Sequence, residues 1–196
     1  MRPSFLLALC VGALSSLACA QSSACPPSPL DLDLAELRAA TVIVSQAPFT
    51  DERGRADGRS VVRGDVVLQG PADRGRRCSY FLSPEGPVTN AYLKDAHVQA
   101  LPSPFTLAGR WRRDEDAHLD LQSGGQLTGN VTSRGLATPQ VGNVNGTLQK
   151  QGNIWTYAKD GCQLTLRPVG PWLLVTDNLA CGGDQVTFRG LYRRQR

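Results

Sequence analysis

The chain has 196 residues, of which 41% are hydrophobic and 19% charged, and this balance excludes a disordered polar tail. Its 20 glycines and 13 prolines are too many for a helix bundle and too irregularly spaced for collagen. The 21 basic residues exceed the 17 acidic ones by too little to imply nucleic-acid binding, which usually needs a dense basic patch.

The first twenty residues have the features of a secretory signal peptide. Arg2 precedes the apolar stretch Phe5–Leu17, and a small-x-small cleavage motif ends at Ala20. We therefore expect residues 1–20 to be removed and the remaining chain to reach the periplasm or the medium. No later segment approaches the roughly 20 apolar residues of a membrane span, so none is expected. The alternative is a lipoprotein anchored through Cys19.

The segment after the signal divides into a Pro-rich leader over residues 21–39 and a small β domain over residues 40–102. The leader is expected to be an extended tether, and the polar residues 50–60 a long loop. Short runs of β-branched and aromatic residues between Gly/Pro turns predict the strands Thr41–Val44, Val61–Leu68, Arg77–Leu82 and Ala91–Leu93. Two prolines in Leu101–Pro104 indicate a linker.

The second half, residues 105–196, has the regular spacing of an antiparallel meander. Apolar and polar residues alternate in several of its segments, for example at Leu119 and Leu121. The eight predicted strands are Leu107–Arg112, His118–Gln122, Gln126–Thr132, Val144–Gln149, Ile154–Ala158, Gln163–Arg167, Trp172–Thr176 and Gln185–Tyr192. Short strands about ten residues apart favour a closed barrel or a sandwich, and we predict an all-β protein in which a small barrel precedes an eight-stranded barrel.

Four cysteines remain after the expected cleavage, and they indicate two disulfides with three possible connectivities. The strand that starts at Cys162 is followed by a reversal of the chain at residues 168–171. The returning strand brings Cys181 back to the end of the sheet where Cys162 lies. We therefore expect a Cys162–Cys181 bridge, and this leaves Cys25 to pair with Cys78. The wide spacing of the cysteines excludes a zinc site built from close pairs.

The sequence offers little chemistry for catalysis. It contains two histidines and none of the motifs of serine hydrolases, nucleotide-binding loops, zinc peptidases or kinases. The carboxylates in Asp114–Asp116 are consecutive and cannot flank a glycosidic bond. Asp177, Asn178 and Asp184 supply oxygen ligands but lack EF-hand spacing. We therefore predict no enzyme activity, no cofactor and no metal site.

Two segments of the first half, VVRGDVVL (61–68) and RRCSYFLSPEGPVTNAYLKDAHVQAL (76–101), resemble bacterial Src-homology-3-like domains of envelope proteins. Tyr92 stands where that family carries a tryptophan. The resemblance implies a small barrel with a shallow groove for cell-wall peptide or for a protein partner. The aromatic residues expected in the groove are Tyr80, Phe81 and Tyr92.

The segment DGCQLTLRPVGPWLLVTDNLACGGDQVTFRGLYRR (160–194) resembles a β-barrel domain of exported bacterial proteins that include relatives of lysozyme inhibitors. The resemblance implies a rigid scaffold that presents loops. An inhibitor must insert hydrogen-bond donors between the two carboxylates of the lysozyme cleft. The groups available for this are Ser123, Gly124, Gly125, Arg110, Arg112 and Arg113.

The tripeptide Gly109-Arg110-Trp111 resembles the Gly-x-Trp motif of lipocalin-like barrels. In that family the indole closes one end of the barrel and an arginine of the last strand lies over it. The resemblance implies that Trp111 is a structural plug covered by Arg189, Arg193 or Arg194 through a cation–π contact.

Three functions compete on this evidence. The first is a non-catalytic envelope binding protein that recognises cell-wall material such as peptidoglycan, or a protein partner. The second is a lysozyme inhibitor of the bacterial envelope. The third is a lipocalin-like carrier of a small apolar ligand, which requires an open barrel interior.

Overall fold

The computed structural model describes residues 25–83, 88–102, 106–133, 138–183 and 185–195. The expected signal peptide and Cys19 lie outside the described residues. The described chain is all-β, with 60% strand and 6% helix, and it forms a curled half-barrel sheet followed by a nearly closed barrel. The predicted fold class is therefore confirmed. Within the described ranges no helix is long and apolar enough to cross a membrane.

The first sheet has seven strands and follows two 3₁₀ helices, Pro29–Asp31 and Leu34–Glu36. Its strands are β1 (Arg38–Val42), β2 (Gln46–Thr50), β3 (Ala56–Val62), β4 (Val66–Asp73), β5 (Arg76–Leu82), β6 (Val88–Lys94) and β7 (Val98–Ala100). A third 3₁₀ helix, Asp95–His97, joins β6 to β7. The strand order is β3-β2-β6-β5-β4-β1-β7, so β3 and β7 are the edges of an open sheet.

Two predictions for this sheet are wrong. The segment Val61–Leu68 is not one strand, because the chain turns at residues 63–65 and the Asp65 carboxylate accepts a hydrogen bond from the Val62 amide at 2.8 Å. Residues 50–60 are not a loop throughout, since β3 begins at Ala56. The first five residues of β3 are all exposed, so this edge strand lacks the apolar alternation by which strands are recognised.

The second sheet has nine strands in the order β11-β10-β9-β8-β16-β15-β14-β13-β12. They are β8 (Gly109–Arg112), β9 (Ala117–Leu121), β10 (Gln126–Ser133), β11 (Gln140–Thr147), β12 (Gln149–Gln151), β13 (Ile154–Lys159), β14 (Cys162–Val169), β15 (Trp172–Asp177) and β16 (Gly190–Arg194). Nine strands replace the expected eight because the predicted strand Val144–Gln149 is interrupted at Leu148, whose amide donates to the Gly125 carbonyl at 2.8 Å.

The interior of the barrel is filled by side chains. Leu119, Leu127, Leu166 and Tyr192 belong to one buried cluster and are each 0% exposed. The Tyr192 hydroxyl donates to the Phe188 carbonyl at 2.9 Å inside this cluster. The described residues of the barrel therefore form a packed hydrophobic core.

A second apolar cluster lies between the two sheets, and we call it the interface cluster. Alternate residues of β15 serve the two cores, since Leu173 and Val175 belong to the barrel interior whereas Trp172 and Leu174 pack against the first sheet. The buried members of the interface cluster are Leu37, Ala39, Leu68, Cys78, Tyr80, Tyr92, Val169, Trp172 and Leu174. The two halves of the chain therefore share a hydrophobic core.

The leader is part of this core and is not the free tether that its prolines suggest. Leu37 is 1% exposed, and the side chains of Leu30 and Leu32 pack against the interface cluster. Arg189 on the barrel donates to the Leu30 carbonyl at 2.9 Å and pairs with Asp31 at 2.7 Å. These contacts fasten the leader across both sheets.

Both expected disulfides are present. Cys25 is bonded to Cys78, with their Cα atoms 5.4 Å apart, and this bridge anchors the leader to β5. Cys162 is bonded to Cys181, with a Cα separation of 4.5 Å. Each bridge closes a loop within one half of the chain, so neither disulfide links the two halves. The halves are held together by the connecting segment, by the interface cluster and by the polar contacts around that cluster.

The interface cluster generates a stability prediction. Leu174→Ala should lower the free energy of unfolding by about 3 kcal/mol, because it removes a fully buried side chain and leaves a cavity. Urea denaturation measures this change. Amide hydrogen exchange should also accelerate in β5, although the substitution lies in β15.

Leu179→Ala is the matched control, since Leu179 is 69% exposed and its loss should change stability by less than about 0.5 kcal/mol. Unchanged protection of β5 in Leu174→Ala, with faster exchange in the barrel alone, would mean that the sheets unfold independently and would contradict the shared core.

Candidate functional site

A cleft of about 650 Å³ lies where the first sheet meets the rim of the barrel. A volume of this size is typical of a site for a small molecule or a short chain segment. The first sheet contributes Val66, Phe81 and Leu82, and the barrel contributes Trp172, Arg193 and Arg194. The cleft therefore combines an apolar wall with two cationic side chains.

The ends of strands from both sheets form the walls of the cleft. Val66 begins β4 and Leu82 ends β5, while Trp172 follows the turn between β14 and β15. The close approach of that turn to the first sheet requires Gly170, because a Cβ atom there would lie only 2.5 Å from the Cβ of Ala39. The position of the cleft thus depends on how the sheets pack.

The two arginines are held by backbone carbonyls. Nη2 of Arg193 donates to the Leu82 carbonyl at 3.0 Å and to the Ser83 carbonyl at 2.9 Å, so this side chain bridges the sheets. Nη2 of Arg194 donates to the Ala108 carbonyl. Asp65 also lines the cleft, and it is the one acidic residue among the described lining residues. The cleft therefore carries an excess of positive charge.

The structure corrects the predicted aromatic groove. Tyr80 is 0% exposed and Tyr92 is 6% exposed, and both belong to the interface cluster. The Tyr80 hydroxyl donates to the Pro26 carbonyl at 3.0 Å, and the guanidinium of Arg76 lies 4.3 Å from the centre of the Tyr92 ring. Of the three aromatics expected in a groove, only Phe81 lines the cleft.

The turn predicted for lysozyme inhibition has an exposed tip and a buried base. Ser123 and Gly124 are exposed between β9 and β10, whereas Gly125 is buried. The Gly125 amide donates to the Gln122 carbonyl at 2.9 Å, and this bond closes the turn. Two of the three residues are therefore accessible to a partner.

The arginines predicted for the same role are held by their neighbours. Arg110 pairs with Asp120 at 2.8 Å, and this hydrogen bond raises the pKa of Arg110. Nε of Arg112 donates to the Asp114 carbonyl at 2.7 Å. Nη1 of Arg113 donates to the Thr187 and Arg189 carbonyls at 2.8 and 2.9 Å. Arg110 and Arg112 remain exposed on the barrel surface, whereas Arg113 is half-buried.

The predicted plug, Trp111, is fully buried in the barrel core, and its Nε1 donates to the Leu107 carbonyl at 3.0 Å. Two of the three arginines expected to cover its indole contact the other half of the chain. Arg189 binds the leader, and Arg193 binds the end of β5. Both arginines therefore connect the two halves of the chain, a role that the family resemblance did not indicate.

The polar residues near Cys181 fasten a loop to the barrel. The Asp177 carboxylate accepts hydrogen bonds from the Thr187 hydroxyl and, at 2.7 Å, from the Phe188 amide. Oδ1 of Asn178 accepts from the Gln163 amide at 3.1 Å. Asp184 lies outside the described residues. In the part of the chain that the structure describes, no group of three His, Cys, Asp or Glu residues is arranged to hold a metal ion.

Comparison of the chain with protein-family models, with curated proteins and with solved structures finds no match. The assignment of function therefore depends on the geometry of the cleft and on the residues that line it.

The burial of Tyr92 generates a prediction. Tyr92→Ala should lower the free energy of unfolding by about 3 kcal/mol, because a packed aromatic side chain is lost from the interface cluster. Thermal and urea unfolding measure this change. An unchanged melting temperature together with weaker ligand binding would instead identify Tyr92 as a ligand contact.

Burial also raises the pKa of Tyr80 above that of an exposed tyrosine. A raised pKa in the folded state means that folding favours the neutral phenol of Tyr80. The contribution of this phenol to the free energy of unfolding is complete below the ordinary tyrosine pKa of about 10 and is lost as pH rises further. We expect the free energy of unfolding to fall above about pH 10, as measured by urea denaturation across an alkaline series. The free energy of unfolding of Tyr80→Phe should fall less steeply with pH. A slope identical to that of the unsubstituted protein would contradict this role of Tyr80.

Proposed function

We propose that this protein is a non-catalytic, exported binding protein of the bacterial envelope, and that its ligand binds in the cleft between the two sheets. The observation that carries the proposal is the combination of the apolar side chains of Phe81, Leu82 and Trp172 with the guanidinium groups of Arg193 and Arg194 in one cavity. Apolar walls with a few polar groups placed among them are typical of ligand sites.

Export is supported by the disulfides and by the signal-like start of the sequence. The Cys25–Cys78 and Cys162–Cys181 bridges belong to a class of bond that persists in oxidising compartments such as the periplasm. The resemblance of residues 61–101 to envelope Src-homology-3-like domains favours cell-wall material or an envelope protein as the ligand.

A binding role is favoured over catalysis by the chemistry of the cleft. Its described lining contains no histidine or cysteine, and its one carboxylate, Asp65, already accepts a hydrogen bond from the Val62 amide. General acid–base catalysis needs a titratable group within reach of the ligand and a matching partner. The guanidinium groups of Arg193 and Arg194 offer hydrogen-bond donors and no acceptor, so they suit the binding of an anion.

The two alternatives have less structural support. A carrier of a small apolar ligand needs an open barrel, whereas the barrel interior is filled by buried side chains. A lysozyme inhibitor has the exposed tip Ser123–Gly124 to offer, but this tip does not line the cleft that carries the proposal.

The test is co-sedimentation of the mature protein with isolated bacterial sacculi. We expect the protein to sediment with sacculi and Phe81→Ala to bind about tenfold more weakly, since an aromatic wall of the cleft is lost. Val141→Ala is the matched control, because Val141 is 48% exposed and lies on β11, outside the cleft. Melting temperatures of both variants exclude unfolding as the cause.

A parallel assay with C-type lysozyme separates the alternatives. Inhibition of lysozyme that is abolished by a substitution at Ser123, with no binding to sacculi, would replace the proposed function by the inhibitor. Binding to sacculi that Phe81→Ala leaves unchanged would show that the cleft is not the site.

A further inference from the structure

We infer that the ligand of the cleft carries one free carboxylate next to an apolar group, and that Arg193 and Arg194 bind this carboxylate together. This inference rests on the proposed function and adds the chemical class of the ligand. It follows from the way in which the two guanidinium groups are brought to the same cavity.

Consecutive residues of a strand point to opposite faces, so Arg193 and Arg194 would diverge in the middle of a sheet. Here β16 ends at Arg194, at the rim of the barrel. Arg193 reaches outward to the carbonyls at the end of β5, and Arg194 turns across the start of β8 to the Ala108 carbonyl. Both residues line one cleft. The end of the strand allows this convergence.

Gly109 makes room for the guanidinium of Arg194. Its φ of 142° is a conformation that residues with a side chain rarely adopt, and a Cβ atom there would lie 2.7 Å from Nε and 3.1 Å from Nη2 of Arg194. The guanidinium of Arg194 can occupy this position because Gly109 has no Cβ atom. Gly109 is a positioning residue for Arg194.

The backbone contacts of the arginines leave donors for a ligand. The described hydrogen bonds of Arg193 and Arg194 all use Nη2. A guanidinium has five N–H donors on three nitrogens, so Nε and Nη1 of each residue donate to no other described residue. Both parallel donor pairs of a guanidinium include Nη2, so the carboxylate takes one donor from each arginine and not a fork from either. Such charge-assisted bonds are about twice as strong as neutral ones.

The charge of the cleft favours a monoanion. Its described charged residues are Asp65, Arg193 and Arg194, which leave a net charge of one positive unit. A carboxylate neutralises that charge, whereas a doubly charged phosphate leaves an excess negative charge beside Asp65. The neighbouring Phe81 and Trp172 offer apolar surface to the group that bears the carboxylate. A peptide C-terminus with an apolar residue and an acyl carboxylate share this chemistry.

Calorimetric titration of the mature protein tests the inference with four defined probes. They are N-acetyl-Ala-Ala-Leu with a free carboxylate, the same peptide as its C-terminal amide, octanoate and octyl phosphate. We expect the amide to bind at least about tenfold more weakly than the free acid, since it loses the charge-assisted hydrogen bonds. Octyl phosphate should bind more weakly than octanoate. Tighter binding of the peptide acid than of octanoate assigns a peptide as the source, and the reverse assigns an acyl chain.

Two variants connect the binding to the arginines. Arg194→Gln should weaken binding of the peptide acid about tenfold and abolish its advantage over the amide. Gly109→Ala should also weaken binding of the peptide acid, because the new Cβ atom displaces the guanidinium of Arg194. The charges of Arg193 and Arg194 are unchanged in this variant. Arg74→Gln is the matched control, since the Arg74 side chain is 90% exposed in the turn between β4 and β5. Circular dichroism and melting temperatures verify that each variant is folded.

The outcomes separate this inference from the proposed function. Equal binding of acid and amide, tighter binding of octyl phosphate, or full binding by Arg194→Gln overturns the carboxylate assignment. Binding to sacculi without binding of any of the four probes overturns the inference and leaves the proposed function standing. The absence of binding to sacculi and to all probes overturns both.

Discussion

The packing of the first sheet and the leader onto the outer face of β14–β16 determines the shape of this protein. The interface cluster buries Leu68 and Tyr80 from one side and Trp172 and Leu174 from the other, each at 5% exposure or less. Full burial of one such side chain contributes roughly 1.5–3 kcal/mol. The position of the cleft depends on this packing, which places the end of β5 beside the rim of the barrel, where Arg193 donates to the Leu82 carbonyl.

Polar contacts around the interface cluster connect the two halves of the chain. One arginine beside the cluster, Arg167, is buried without hydrogen-bond partners for two of its nitrogens among the described residues. Arg189 and Arg193 donate to backbone carbonyls of the leader and of β5, respectively. Arg167 lies on the outward side of β14 opposite Leu174, and its Nε and Nη1 have no hydrogen-bond partner among the described residues. Burial lowers the pKa of Arg167, and the charge of Asp33 in the leader opposes that shift. The leader thus supplies both apolar cover and a compensating charge.

The sequence predicted the features that depend on local pattern, namely the all-β class, most barrel strands and both disulfides. It missed what depends on the contact between the two halves. Tyr92 was assigned to a groove because it stands where the Src-homology-3-like family carries a tryptophan, and an exposed aromatic cannot be told from a buried one by sequence alone. A signal was nevertheless available in Trp172–Val175, where four consecutive apolar residues replace the alternation of a half-buried strand and are all buried. Such a run indicates a strand covered on both faces. The convergence of Arg193 and Arg194 follows from where β16 ends, which no sequence pattern determines.

The central claim is that the two sheets form one body with a fixed cleft between them. Residual dipolar couplings of backbone amides in the ligand-free mature protein test this claim most directly. We expect a single alignment tensor to fit the couplings of β4 and β5 together with those of β14–β16, because the interface cluster holds both sheets in one orientation. Two tensors of different magnitude or direction, one for each sheet, would show that the halves reorient independently and would contradict a preformed cleft.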